Sequence, residues 1–412
     1  MTDLTVGIFS WNIGDANKEK IKDLIVGALS TYNDIYPDIF IFGFQEYNSK
    51  EYDRDIAKYI VEQINIKIAI TYSIVGNNST CNRLTPYKII NFAFIKNKYK
   101  VDKIIKESIC IGADGSKGFF INLVYGTKGF ELIKFTINES DLIFINVHFP
   151  FKTEKILSTV YDELKKFISS PNNKNSIIFV SGDVNSRCLL TNSYTKDVLN
   201  CETKDESSKT ELEKKLCDTK TELEKIPFPE THYFHDYKNQ IEDTKLIKDL
   251  KSTDYYIKEA DKSLFFNDNF QEGDIHFLPT YKRDSISGYF SLFKNEKSLT
   301  RTFTRTLSKL SINNSADSLK REQDINENYI VGRLPGYADR IFFKAPDNKS
   351  IQCLKYGSLG IKGNDHLPIG GHYLITNKTT GGRAKLRKRS SSKKSKSRQR
   401  SRSKKSRSKG KK

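Results

Sequence analysis

GRLPGYADRI at residues 332–341, followed by NDHLP at residues 364–368, decides how this chain is read. The two segments carry acidic groups, a histidine and an arginine pair near the end of a globular body, where strands can bring them into one site. Neither means much alone. Their weight comes from four upstream segments in a fixed order: Trp11-Asn12, Gln45-Glu46, Asn146-Val147-His148 and Gly182-Asp183-Val184-Asn185.

Between these segments the chain alternates strand and helix patterns. Residues 4–11, 38–44, 90–96, 118–125, 130–137, 141–148 and 176–182 are short β-branched and aromatic runs bounded by Gly, Asn, Asp or Lys, which predicts strands. Several are apolar throughout, as in strands covered on both faces. Residues 17–31, 51–65 and 152–169 have helical periodicity, and Ile156, Val160, Leu164 and Phe167 fall on one stripe of the last. Helices are therefore expected on the outer faces of packed sheets.

The 412 residues are enough for one large domain with appendages, and the net charge of +19 is concentrated at one end. Residues 383–412 hold 17 Lys or Arg and no acid, which leaves about +2 for everything else. A nucleic-acid-binding body is thus not indicated. The tail from Thr379 onward, rich in Ser, Lys and Arg, cannot offset the entropy of ordering and is expected to be disordered. Such a charge density attracts polyanions, either RNA or an anionic membrane surface, and the alternative is a solubilising tail.

Six cysteines (Cys81, Cys110, Cys188, Cys201, Cys217, Cys353) form no CxxC pair, so they support neither a zinc cluster nor a thioredoxin-like motif and read as reduced thiols. The start, MTDLTVGIFSWN, has no basic n-region, and no run of about 18 apolar residues occurs anywhere. The expectation is a soluble cytoplasmic protein with no transmembrane segment, membrane-associated or nuclear only through its tail. KTELEK recurs at Lys209 and Lys220, a period of about three helical turns. The polar stretch 285–330 holds an amphipathic pattern, with Leu299, Phe303, Leu307 and Leu310 opposite Lys297, Arg301, Arg305 and Lys309. It reads either as packed on the body or simply disordered, or as a helix that docks on a membrane surface or a partner.

The chemistry can be built from residue types. Glu46, just after an apolar strand, can project a carboxylate that holds a hard divalent cation, and Asn12 can add an amide oxygen. Alone, each pair reads as structure. In an extended segment Asp183 and Asn185 point the same way, so a carboxylate and an amide converge to orient and deprotonate water; the alternative reading of the segment is a turn with Asx capping. His148 ends a strand in register to contact a phosphate, although a satisfied core histidine is the default reading. Asp365-His366 follows a glycine-bearing turn, and Asp339, at a strand start, is the natural carboxylate to fix the His366 ring.

In this order the residues resemble the endonuclease/exonuclease/phosphatase superfamily and, more closely, the inositol polyphosphate 5-phosphatases, over roughly residues 4–376. FLPTYKRD at 277–284 is similar to that family's PTYK[YF]D, RLPGYADR at 333–340 to its RxPxWxDR, and Gly115-Ser116-Lys117-Gly118 to its GNKG. The resemblance implies an α/β, four-layer α/β/β/α sandwich of two mixed, DNase-like sheets over residues 1–376, with the disordered tail at 379–412. It implies that Glu46 and Asn12 bind Mg2+, that Asp183 activates water with Asn185 assisting, and that His148 and His366 contact the scissile phosphate. Asp339 would orient His366 beside Asp365, while Lys117, Lys282, Arg333 and Arg340, with Tyr281, would grip ring phosphates. Tyr337 stands where the family has Trp, Ser116 where it has Asn and Arg283 where it has an aromatic residue. About 48 residues also separate Asp284 from Arg333.

The implied activity is removal of the 5-phosphate from a phosphoinositide or soluble inositol phosphate. A nuclease or deadenylase of the same superfamily is a rival that the PTYK segment opposes. A catalytically idle polyanion-binding module is another, and the intact Glu46, Asp183, Asn185 and His366 oppose it.

Overall fold

The apolar runs form two sheets because their residues alternate between two covered faces. In the computed structural model, β1 (Leu4–Asn12), β2 (Ile39–Asn48) and β4 (Tyr87–Lys96) turn Val6, Ile8, Ile39, Ile41, Ala93 and Ile95 inward. They turn Phe9, Trp11, Phe40, Phe42, Phe44, Phe92 and Phe94 outward. The structure describes residues 3–14, 17–32, 35–48, 56–78, 87–111, 128–150, 154–186, 234–235, 269–277, 279–281, 336–361 and 364–378. The chain divides into two units, 1–378 and 379–412, and all described residues lie in the first. The tail, the 285–330 stretch, the KTELEK repeat and the strand expected at 118–125 lie outside them.

The first sheet has the order β3-β4-β2-β1-β13-β12-β9, with β3 (Tyr72–Asn78), β9 (Phe234–His235), β12 (Lys349–Leu359) and β13 (Ile369–Asn377). The second runs β10-β11-β8-β7-β6-β5, with β5 (Asp102–Ile111), β6 (Lys128–Ile137), β7 (Ser140–His148), β8 (Ile177–Asp183), β10 (Gln271–Glu272) and β11 (Asp339–Lys344). Both sheets are mixed: β1–β2 and β7–β8 are parallel, while β13 runs antiparallel to β1 and β11 antiparallel to β8. The parallel strands therefore end, and their antiparallel neighbours begin, at one edge of the molecule.

Three cores separate four layers. The inner faces of both sheets meet through Ile41, Phe144, Phe179, Ile341 and Tyr373. Helices α1 (Lys18–Ser30) and α2 (Ile56–Lys67) cover the first sheet through Ile21, Leu24, Ile25, Ile60 and Ile64. Asn17 caps α1 by accepting from the Lys20 N–H at 3.1 Å. Helix α3 (Glu154–Ile168) covers the second sheet with Val160, Leu164 and Ile168. The expected stripe needs one correction: Ile168, at i+4 from Leu164, is buried, whereas Phe167 is only partly so.

His372 on β13 is set edge-on against Tyr32, ring centroids 4.8 Å apart, and its Nε2 is buried without a hydrogen bond. Burial, and then the nearby Lys355, lowers its pKa to about 4, with Asp38 opposing. The unfolded chain then binds the extra proton between pH 4 and the ordinary value near 6.5. The stability this neutral ring contributes is complete above about 6.5 and is lost as the pH falls toward 4. Urea unfolding at pH 7 and pH 5 checks this: the wild type should lose on the order of 1 kcal/mol more than His372→Phe, once solvent screening is allowed for.

Candidate active site

Six strands deliver the site residues to the shared edge of the sheets. Asn12 and Glu46 come from the ends of β1 and β2, His148 and Asp183 from the ends of β7 and β8. Asp339 starts β11 and His366 lies just before β13. Asp183 and Asp339 sit opposite each other in the β8–β11 ladder, and His148 sits opposite Asp183 across β7–β8. Gly182 makes that ladder possible. Its φ is +142°, and a Cβ there would collide with the Val147 carbonyl oxygen, so only glycine fits.

Asp183 is the hub. Its Oδ2 accepts from Asn12 Nδ2 at 3.1 Å and lies 3.4 Å from His148 Nε2 and 3.9 Å from His366 Nε2. The other His366 nitrogen, Nδ1, is 2.9 Å from Asp339 Oδ2. Trp11 fixes the His366 backbone by donating its indole N–H to the His366 carbonyl at 3.1 Å. The PTYK segment closes the wall. Thr280 accepts from the Asp339 N–H and the Leu367 N–H, and the Tyr281 ring lies 4.5 Å from the His366 ring.

Burial would raise the Asp183 pKa, but His366, His148 and Lys128 together hold it well below the usual carboxylate range. For His366 burial works the other way, yet Asp339 and Asp183 outweigh it and raise its pKa to about 10. Burial raises Asp339 above its ordinary value against the pull of His366. The surrounding charges therefore favour the ionised form of Asp183 and the protonated form of His366.

Several expectations need correction. Asp183 and Asn185 do not share an extended face: β8 ends at Asp183, and Asn185 is left-handed, φ +53°. Its backbone N–H caps Asp183 Oδ1 at 2.9 Å while its side-chain amide donates to the Phe149 carbonyl at 2.7 Å. Arg340 is not poised to grip a phosphate. It alternates with Asp339 along β11, is 0% exposed and makes a bidentate pair with Glu272 on β10. Asp365 stays partly exposed and acts on His366 through its charge. Lys117, Lys282 and Arg333 lie outside the described residues.

One residue in the site went unnoticed in the sequence. Lys128, at the start of β6, touches His148 Nε2 and lies 3.9 Å from Glu46 Oε1. A second pattern, Gly126-Thr127-Lys128-Gly129, repeats Gly115-Ser116-Lys117-Gly118 eleven residues on and was the available signal.

Two donor sets could take a cation. Asp183, Asp339 and His366 have ligand atoms within 4.8 Å of one another, but Asp339 is fully buried and bonded to His366. The Glu46 side chain is 41% exposed, with Oε1 3.6 Å from His148 Nε2 and Asn12 on the neighbouring strand. An oxygen donor open to water suits a hard divalent ion that retains part of its hydration shell. The residues present therefore fit such an ion best at Glu46.

The model of the endonuclease/exonuclease/phosphatase family 2 matches residues 9–234 and 235–372. The chain belongs to this family. No curated protein sequence matches it. Among solved structures, it is similar to the inositol polyphosphate 5-phosphatase domain of SPsynaptojanin, solved with inositol (1,4)-bisphosphate and a calcium ion. There the identity is 16% and the TM-score 0.53, over 91% of this chain and 86% of that one. It is also similar to a nitrophorin of Cimex, solved as a ferrous NO complex, at 17% identity and TM-score 0.54, over 91% and 99%. At such identities these likenesses show the fold, and the two mixed sheets agree with it. Among the described residues no helix is long and apolar enough to cross a membrane.

Proposed function

We propose that this family member is a Mg2+-dependent phosphatase that removes the 5-phosphate from phosphoinositides or soluble inositol polyphosphates by direct attack of water. One observation carries the reading: Tyr281 of the PTYK segment is bridged both to Gly336 of RLPGYADR and to His366, which faces Asp183. The two segments that resemble inositol 5-phosphatases thus converge on the hydrolytic group. Lys282 follows Tyr281 directly and Arg333 precedes Gly336 by three residues, which supports a role for both in reading ring phosphates. The inositol (1,4)-bisphosphate in the SPsynaptojanin domain is what remains when a 1,4,5-trisphosphate loses its 5-phosphate.

Asp183 orients the attacking water. The charges that keep it ionised also make it a weak base, so it takes the water's proton only as the new P–O bond forms, while the bond between phosphorus and the inositol oxygen breaks and that oxygen leaves with a proton drawn from solvent. His366, held by Asp339, donates a hydrogen bond to the phosphoryl group, and Lys128 and His148, next to Asp183 and Glu46, would stabilise the charge that develops on the non-bridging oxygens. Glu46 and Asn12 would hold Mg2+, which supplies charge neutralisation and polarisation of the phosphoryl oxygen when bound.

Phosphate release from a panel of inositol phosphates, phosphoinositides and oligonucleotides tests the reading. The inositides should be hydrolysed fastest, chelation should abolish the activity and Mg2+ should restore it. Faster cleavage of oligonucleotides would replace the reading by a nuclease. We further expect deletion of residues 379–412 to leave turnover of a soluble inositol phosphate unchanged while removing salt-sensitive binding to RNA or anionic vesicles. Lost turnover in that variant would place the tail in the site.

A further inference from the structure

Glu46 points at the site because β2 is bulged there. Phe44 pairs with Ile90 and Tyr47 with Lys88, so Gln45 and Glu46 together oppose the single residue Ile89, and Glu46 is left-handed at φ +54°. A bulge of this kind re-aims a side chain, and a glutamate at positive φ persists only where its surroundings hold it. What holds it comes from the opposite sheet. Asn146, fully buried on β7, donates from Nδ2 to the Phe44 carbonyl at 3.0 Å and to the Ile90 carbonyl at 2.8 Å, the last pair before the bulge. Its Oδ1 accepts from Gln45 Nε2 at 2.5 Å, and Gln45 Nε2 also lies 3.0 Å from Ser10 Oγ on β1. The Gln45 carbonyl accepts the Ile13 N–H at 2.9 Å, which anchors the bulge to the strand end that carries Asn12. Gly43 leaves room for the approach: a Cβ there would lie 2.8 Å from Asn146 Cγ.

We propose that Gln45 and Asn146 are positioning residues that set the affinity of Glu46 for its divalent cation, by latching the β2 bulge across the two sheets. The inference rests on the reading of Glu46 as the cation's carboxylate. The first residue of each motif thereby gains a role, since Gln45 directs the carboxylate beside it and Asn146 connects that carboxylate to the strand bearing His148.

Calorimetric titration of Mg2+ into the full chain tests it. Gln45→Met removes the latch's donor at similar volume, and Gly43→Ala displaces Asn146 while removing no polar group. Each should weaken the dissociation constant by about 10–100-fold, the range seen when groups supporting a ligand are lost. Glu46→Gln sets the scale for full loss of the carboxylate. The Mg2+ concentration for half-activation should rise in parallel, with kcat at saturating Mg2+ recovering toward wild type. A merely structural role would lower the urea midpoint and leave the dissociation constant of the folded protein unchanged, which would overturn the inference alone. If Gln45→Met does not fold, Gly43→Ala decides. A wild type that binds no Mg2+ would overturn the inference and the metal-dependent reading together.

Discussion

Asp183→Ala should lower phosphate release by at least about 100-fold, with the folded state intact, because in the proposed reaction its carboxylate acts on the attacking water and not on packing. Its Oδ2 is the meeting point of Asn12, His148 and His366, so its removal leaves those donors facing no charge. The loss should fall on kcat more than on KM, since in the proposed reading the ring phosphates that are not cleaved would be held by other residues. His366→Ala should behave similarly, because the imidazolium it removes is held in place by Asp339 and Tyr281. Steady-state kinetics on an inositol polyphosphate at saturating Mg2+, with circular dichroism as the folding check, decides both. Unchanged turnover in either variant would remove that residue from the chemistry.

The second large effect lies away from the chemistry. Arg340→Met should destabilise the protein by about 3–5 kcal/mol, the usual consequence of leaving a buried charge unpaired. The arginine is fully buried, its guanidinium sits 5.5 Å from the Phe342 ring, and its partner Glu272 is nearly buried and also accepts from the Tyr356 hydroxyl at 2.9 Å. The double replacement Arg340→Met with Glu272→Leu should recover much of the loss, since no charge is then left alone. Urea unfolding measures the effect. If Arg340 instead gripped substrate, the single variant would raise KM and leave the unfolding midpoint where it was.

Much of the fold was legible because the central strands are buried on both faces. β1, β2, β4, β6, β7 and β8 fall on the apolar runs, since apolar side chains cover both of their faces and leave little polar alternation to confuse them. β3, β5, β12 and β13 escaped. β3 and β5 are edge strands that expose Ile74, Ile104 and Ile105 among polar neighbours, and β12 has a largely solvent-facing first half. β13 is interior, but its Ile369-Gly370-Gly371-His372 start reads as a turn, and Gly371 is needed because Tyr373 fills the space of a Cβ.

The site was legible as an order of motifs, and its details were not. Periodicity could not show that β8 stops at Asp183, which turns Asn185 to Phe149. Nor could it show that Arg340 faces Glu272, a residue 68 positions away in sequence. Lys128 was missed for a simpler reason: Gly115-Ser116-Lys117-Gly118 drew the reading, and only the pairing of Lys128 with Ile111 and its closeness to His148 show that the second Gly-Thr-Lys-Gly pattern lies at the site.

Under the proposed function, this site would remove the 5-phosphate of an inositol ring in preference to the others. The direct measurement is phosphorus NMR of an inositol 1,4,5-trisphosphate reaction with Mg2+, run with wild type and with Asp183→Ala. The expected result is loss of the 5-phosphate resonance with accumulation of inositol (1,4)-bisphosphate in the wild type only. Loss of the 1- or 4-phosphate first, or no conversion of the ring substrate while an oligonucleotide in the same buffer is cut, would contradict it.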